Sequence, residues 1–208
     1  MTTAVSPEAT VFVVDDDDAV RESLVFLMKS VGLKAESFSS AQDFLSHYNP
    51  ARSGCLVLDI RMPGMSGLEL QEKLSQMDCI LPIIFITGHG DVPMAVKAIK
   101  AGAADFVQKP FRDQDLIDRI REVLQEDAEA RVDKLQKAEV LRRIGTLTER
   151  EREVMEQVVD GKANKVVAID LNVSQRTVEI HRANVMDKMK ARSLAQLVRL
   201  VMKARGEL

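Results

Sequence analysis

Three observations predict the fold class of this chain. Short apolar runs alternate with helix-periodic segments over residues 1–112, as expected for a parallel sheet with helices on both faces. No Pro or Gly occurs from 113 to 143, which suits one long helix. Turn signals then divide residues 147–205 into four short amphipathic helices. The prediction is an α/β doubly wound five-stranded parallel sheet plus an all-α four-helix domain, joined by a long helical linker. The expected boundaries are 1–124, 125–145 and 146–208.

Each element has its own signal. Val11-Phe12-Val13-Val14 is a continuous apolar run, the pattern of a strand buried on both faces. Val20, Leu24, Leu27 and Val31 recur at helical spacing. Ala35 to Phe38 predicts a second strand, residues 40–47 a short helix, and Cys55-Leu56-Val57-Leu58 a third strand. A helix is expected near 66–76, and a strand at Pro82-Ile83-Ile84-Phe85-Ile86. Met94, Val96, Ala98 and Ile99 suggest the next helix, and Asp105 to Gln108 the fifth strand. In the long segment, apolar residues at 117, 120, 124, 128, 132 and 135 fit either a solvated spacer helix or a short coiled coil, which Gly145 ends. Thr148 and Glu151 fit a capping box ahead of Val154, Val158 and Val159, and Gly161 closes that helix. After a helix near 163–171, Leu171-Asn172-Val173-Ser174 reads as a tight turn with Ser174 as the following cap. Residues 175–189 set Val178, Val185 and Met189 among Arg176, His181, Arg182, Lys188 and Lys190. Leu194, Leu197, Val198 and Val201 mark the last helix.

Composition excludes several function classes. Of 208 residues, none is Trp and 4% are aromatic, so an aromatic platform for single-stranded nucleic acid is not expected. No apolar run is long enough for a membrane helix, and the N-terminal residues lack the basic start and apolar stretch of a secretory signal. Two cysteines, Cys55 and Cys79, without a CxxC, indicate neither a disulfide framework nor a zinc site. A cytoplasmic protein is the expectation. The net charge of −3 argues, on average, against a nucleic-acid partner. The average conceals a segregation: residues 1–112 carry 10 basic and 14 acidic side chains, whereas 161–205 carry 10 basic and 3 acidic. A basic C-terminal end restores the possibility of DNA.

In doubly wound sheets, ligands sit beyond the carboxyl ends of the strands. The predicted strands end at Asp15-Asp16, at Asp59, at Thr87 and at Lys109-Pro110. Carboxylates gathered on one rim repel one another, and Mg²⁺ with oxygen ligands is the natural relief. A lysine there pairs with an anion, and a threonine offers a hydroxyl. The chemistry that suits this set is phosphoryl transfer to a carboxylate oxygen. Each residue also has a plainer reading. The run Asp15 to Asp18 also suits a solvated helix start, which is the expected role of Asp17 and Asp18. It lacks the Gly and Glu that an EF-hand loop requires. Phe106 alone reads as core, Lys109 alone as surface and His89 alone as a loop residue.

The segments VVDDDDAVRESL, LVLDIRMPGMSGLEL, FITGHGD and AADFVQKPF resemble the signature blocks of two-component response-regulator receiver domains over residues 10–125. That resemblance implies a flavodoxin-like, CheY-like fold in which Asp59 is the phosphoacceptor for a sensor histidine kinase. Asp15, Asp16, Asp59 and the backbone carbonyl of Arg61 would hold Mg²⁺. Thr87 and Phe106 match the family's switch pair, and Lys109 its phosphate-pairing lysine, followed by a cis bond to Pro110. Arg61 and His89 flank the phosphate site, where they would tune access of water. A Mg²⁺-dependent aspartyl-phosphate phosphatase of the haloacid-dehalogenase type shares the acid cluster. It needs a second Asp where Arg61 stands, so turnover of external substrates is disfavoured.

A helix, a tight turn and a basic amphipathic helix follow the helix-turn-helix plan. LTEREREV, GKANKVVA, VSQRTVEIHRANVMDKM and ARS resemble the LuxR-type DNA-binding domain, so the whole chain resembles a NarL/FixJ-family regulator. By that resemblance Lys165, Arg176, Thr177, Arg182 and Lys188 would contact phosphates of promoter DNA, near Ser174 at the helix start. Glu179, Ile180 and Ala183 would face base edges, with Glu179 able to accept from a cytosine amine. His181 has two readings, phosphate contact or packing. Leu197, Val198 and Val201 are candidates either for dimerisation or for packing inside the domain.

The expectation is a transcription regulator in which phosphate on Asp59 switches homodimerisation and promoter binding, with RNA polymerase a further partner. Release of a masked DNA-binding domain is a separate route to the same switch. The rival from another class is a constitutive DNA-binding protein whose receiver is never phosphorylated. No kinase module is expected in the two domains and their linker, so a partner must supply the phosphate.

Overall fold

A computed structural model of the chain describes residues 9–77, 79, 81–88 and 92–207. They divide into two compact units, with the division along the chain between Ala130 and Arg131.

The first unit is a five-stranded parallel sheet in the order β2-β1-β3-β4-β5. Its strands are β1 (Thr10–Val14), β2 (Lys34–Phe38), β3 (Gly54–Asp59), β4 (Ile83–Thr87) and β5 (Asp105–Gln108). The intervening helices are α1 (Asp18–Ser30), α2 (Ala41–His47), α3 (Gly67–Gln76) and α4 (Val92–Lys100). Every residue of β1, β3 and β4 is buried, which is why those strands read as unbroken apolar runs. The pleat sends alternate side chains to opposite faces. Phe12, Val14, Leu56, Leu58 and Phe85 join Phe38, Phe44, Leu70 and Leu74 in one core. Val11, Val13, Cys55, Val57, Ile84 and Ile86 join Leu24, Met28, Leu116, Ile120 and Leu124 in the other.

The strand order reverses between β1 and β3, and a crevice opens beyond the carboxyl ends of the strands at such a point. Val14 pairs with Leu58, so the residues that follow them, Asp15 and Asp59, emerge side by side at that crevice. Asp17 caps α1 by accepting from the amides of Ala19 and Val20, and Asp18 lies in the first turn, as expected of them. The Lys109–Pro110 bond is cis.

Helix α5 (Asp113–Gly145) runs through both units. Leu116, Ile117, Ile120, Val123 and Leu124 complete the core of the first unit. Val132 and Leu135, the later members of the apolar series, are exposed. The residues expected as linker, 125–145, are all helical, and the later ones pack in the second unit. Val140 is buried there, and Arg143 donates to the carbonyl of Met189 at 3.1 Å.

The rest of the second unit comprises α6 (Glu149–Val159), α7 (Asn164–Asp170), α8 (Gln175–Lys188) and α9 (Leu194–Arg205). The capping box at Thr148 and Glu151 forms with both its hydrogen bonds. Asn172 takes a φ of 54° in the turn between α7 and α8, and Ser174 caps α8 through the Thr177 amide at 3.1 Å. Val154, Val158, Val178, Val185, Met189, Leu197 and Val201 form the core. Leu197 and Val201 are fully buried, so of their two readings packing inside the domain is the one the fold takes, while Val198 is half-buried.

Candidate functional site

At the carboxyl edge of the sheet, three predicted residues converge. Asp15 is 1% exposed and Asp59 6%, so two carboxylates are carried into a largely dry crevice by the ends of β1 and β3. The amine of Lys109, delivered from the end of β5, lies 2.7 Å from Asp15 Oδ2 and 3.3 Å from Asp59 Oδ1. The backbone N–H of Arg61 donates to Asp59 Oδ2 at 2.7 Å. The backbone N–H of Asp17 donates to Asp15 Oδ1 at 3.0 Å.

The electrostatics follow from this packing. Burial pushes the Asp59 carboxyl above its ordinary value and the Asp15 charge adds to the rise, while Lys109 and the Arg61 amide oppose it. Burial also works against the charge on Lys109. Its hydrogen bond to Asp15 and the two nearby carboxylates outweigh that and hold its amine above the ordinary lysine value. The site therefore keeps a buried carboxylate in reach of a fixed ammonium, which suits a nucleophilic oxygen that must receive an anionic group.

Asp16 is exposed at the start of the same loop. Thr87 ends β4 and is 1% exposed; Phe106, in β5, is half-buried against the first core and pairs in register with Phe85. Arg61 has its side chain in solvent. His89, expected beside the phosphate site, lies outside the described residues. Among the described residues no group of three or more His, Cys, Asp and Glu is placed to hold a metal ion. The donor set nevertheless fits a hard cation. Two buried carboxylates already share one cationic group, the Lys109 ammonium, and every donor is oxygen.

Sequence reasoning missed one support of this site, Gly67, and one buried tie between the helices beside it, Gln71. Gly67 stands where a Cβ would come within 2.3 Å of the Asp59 carbonyl oxygen, so only glycine lets α3 pack this closely behind Asp59. Gln71, 4% exposed, donates from α3 to the carbonyl of Ala98 in α4 at 3.1 Å. Gln71 has no local sequence signature, because its partner lies 27 residues along the chain. Gly67 falls inside the segment LVLDIRMPGMSGLEL, but the contact that demands glycine there shows only in the fold.

In the second unit, α8 presents a polar and basic surface over the buried stripe of Val178 and Val185. Lys165, Ser174, Arg176, Glu179, Ile180 and Ala183 are exposed, and Thr177, His181 and Arg182 are half-buried. Arg182 is oriented by a 2.7 Å hydrogen bond to Asn164 at the start of α7. Nδ1 of His181 is buried and has no hydrogen-bond partner among the described residues. Lys188 is drawn inward, 2.6 Å from the buried Glu151 and 3.3 Å from the carbonyl of Thr146. Among the described residues, it is the expected phosphate contact whose charge is already paired with a buried carboxylate. The Ser174 and Thr177 hydroxyls lie 2.7 Å apart at the head of α8.

Comparison with known proteins decides what this pair of units is. Residues 11–121 match the response regulator receiver domain, and residues 145–201 match the luxR family of bacterial regulatory proteins. The chain belongs to the NarL/FixJ family of response regulators. It is 52% identical to the transcriptional regulatory protein FixJ of Azorhizobium caulinodans over 93% of this chain and 92% of that protein. It is 46% identical to the response regulator protein TmoT of Ectopseudomonas mendocina, over 97% of this chain and 91% of that one. Among solved structures it is similar to the response regulator StyR, with a TM-score of 0.85, 48% identity, and coverage of 94% of this chain and 99% of that one. Full-length FixJ from B. japonicum matches with a TM-score of 0.60 at 44% identity, over 97% and 98% of the two chains. The chain is thus a two-component transcription regulator. Its domain pair implies a sensor kinase and DNA as partners, and receiver domains generally bind Mg²⁺ at the phosphorylation site. No helix among the described residues is long and apolar enough to cross a membrane.

Proposed function

We propose that Asp59 accepts a phosphoryl group from the phosphohistidine of a sensor kinase and that the resulting acyl phosphate switches promoter binding. The observation that carries this reading is the convergence of Asp15, Asp59 and Lys109 at the reversal of strand order. In the transfer, a carboxylate oxygen of Asp59 attacks phosphorus, an O–P bond forms, and the N–P bond breaks with its electron pair returning to the imidazole nitrogen. Lys109, held charged, compensates the equatorial oxygens as they pass. Asp15, Asp16, Asp59 and the backbone carbonyl of Arg61 would hold Mg²⁺. When bound, that ion supplies the additional positive charge that lets a dianionic group approach a carboxylate.

Thr87, at the end of the neighbouring strand, would take up the new phosphate oxygens through its hydroxyl, and Phe106 would follow by turning fully inward. The phosphorylated state would be favoured by these differential contacts. The face made by α4, β5 and α5 would then pair two receivers, bringing two DNA-binding units onto half-sites in phase with the DNA helix. Lys165, Arg176, Thr177 and Arg182, with Ser174 at the helix start, would grip phosphates, and Glu179, Ile180 and Ala183 would meet base edges. Lys188 would add long-range attraction, and the half-buried His181 would position α8. RNA polymerase is the further partner, and the cytoplasm is the compartment where kinase, DNA and polymerase meet. The chain is a regulator rather than an enzyme, with at most slow hydrolysis of its own acyl phosphate.

The test is labelling with acetyl phosphate and Mg²⁺. One phosphoryl group per chain, mapped by mass spectrometry to Asp59 and absent from Asp59→Asn, supports the reading; label at another residue contradicts it.

A further inference from the structure

Arg21 stands beneath the acid loop, and the phosphoryl-transfer chemistry leaves it without a part. It lies one turn into α1, with its side chain 13% exposed. Its Nη1 donates to the main-chain carbonyl of Asp15 at 2.6 Å, and its Nη2 pairs with the carboxylate of Asp18. The same Asp15 is fixed at its other end, where its carboxylate accepts from the Asp17 amide and the Lys109 amine. The carbonyl that Arg21 grips shares a rigid peptide plane with the N–H of Asp16. Fixing that oxygen therefore fixes the direction in which the chain leaves the sheet toward Asp16. A guanidinium holds two acceptors at once in a planar fork, which an ammonium cannot reproduce.

We infer that Arg21 is a positioning residue for the divalent-cation site: it holds the Asp15–Asp16 peptide so that both aspartates are presented to one ion. This rests on the reading of Asp15, Asp16 and Asp59 as the residues that hold Mg²⁺. Two effects of Arg21 oppose each other. Its charge repels a cation, which would make its removal tighten binding; its grip on the loop orders the ligands, which would make its removal weaken binding. The charge is already paired with Asp18, whereas no other hydrogen bond to the Asp15 carbonyl is observed among the described residues. The grip outweighs the repulsion.

The experiment is calorimetric titration of the full chain with Mg²⁺, comparing wild type, Arg21→Ala and Arg21→Lys, with far-UV circular dichroism showing each to be folded. Arg21→Ala is expected to lose about 10- to 100-fold in Mg²⁺ affinity, the usual effect of removing a support for metal ligands. Arg21→Lys is expected to recover part of that loss. An affinity unchanged in Arg21→Ala, with only its urea midpoint lowered, would show a merely structural role and overturn the inference. A tighter affinity would overturn it in favour of a simple counter-charge. If Arg21→Ala does not fold, Arg21→Lys decides alone, a weakened affinity supporting the inference and an unchanged one overturning it. Absence of Mg²⁺ binding by wild type would overturn the underlying metal site as well, whereas wild-type binding with unaffected variants would overturn the role of Arg21 alone.

Discussion

Lys109 is closer to Asp15 than to Asp59: its amine is 2.7 Å from one carboxylate and 3.3 Å from the other. A lysine whose principal partner is the neighbour of the proposed phosphoacceptor is poised to change partners when an anion is added to Asp59. Without it, two buried carboxylates face each other. Lys109→Met is expected to destabilise the metal-free first unit by about 3 kcal/mol, the cost of stripping one partner from a mostly buried ion pair. Mg²⁺ should restore most of that loss. Urea unfolding with and without Mg²⁺ checks both statements.

Asp59 itself is predicted to be a source of instability in the metal-free protein. Its folded pKa is raised, chiefly by burial, so the folded state binds its proton more tightly than the unfolded state does. The resulting cost is fully present at pH values above the folded pKa and is relieved as pH falls through it toward the unfolded value. Asp59→Asn, which cannot ionise, should therefore be more stable than wild type at pH 7 without Mg²⁺. The difference should shrink on acidification, as followed by denaturant midpoints across pH.

Gly67 makes a steric prediction. A methyl group there would meet the Asp59 carbonyl oxygen at 2.3 Å, and the obstacle is backbone that cannot swing aside. Gly67→Ala should cost about 3 kcal/mol, the upper end for overpacking a core. It should also lower the rate of labelling at Asp59. Urea midpoints and acetyl phosphate time courses test the two effects separately.

The second unit carries an acid-sensitive tie. Glu151 has its carboxyl held down to about 2 by the hydrogen bond from Lys188 and the amide of Thr148. Its contribution to stability is complete above its ordinary value of 4.5 and is lost as pH falls from there through about 2. Glu151→Gln should flatten the acid limb of stability for this unit, measured by helical circular dichroism. Thr148→Ala, which removes the reciprocal cap, should cost about 1 kcal/mol at neutral pH.

The proposed DNA-binding face of α8 predicts two kinds of loss. Arg176→Ala should weaken binding to all sequences about equally and lower the salt slope by about 1. Glu179→Ala should instead relax preference at one base pair, on the order of 1–3 kcal/mol. Binding to a selected site and its single-base variants, at several salt concentrations, separates them.

The fold was legible in the sequence because its determinants are local and periodic. The unbroken apolar runs of β1, β3 and β4 and the caps at Thr148 and Ser174 report their own conformation. Asp15, Asp59 and Lys109 could be placed together because strand ends in a doubly wound sheet share one rim. Arg21, Gly67 and Gln71 could not, since their roles depend on which backbone atom lies against them. Lys188 shows the same limit from the other side. A basic residue on the helix proposed to face DNA reads as a phosphate contact, and nothing in the sequence reveals that the buried carboxylate of Glu151 is already its partner.

Phosphate on Asp59 is proposed to control DNA binding through dimerisation. The most direct measurement takes a site selected from a randomised pool. Its affinity and the oligomeric state of the protein are measured together, before and after treatment with acetyl phosphate and Mg²⁺. Wild type is expected to shift from monomer to dimer and to bind the site at least ~10-fold more tightly, while Asp59→Asn does neither, a gain equivalent to about 1.4 kcal/mol. Equal affinity of treated and untreated wild type, matched by Asp59→Asn, would contradict the account and leave a DNA-binding protein indifferent to its receiver.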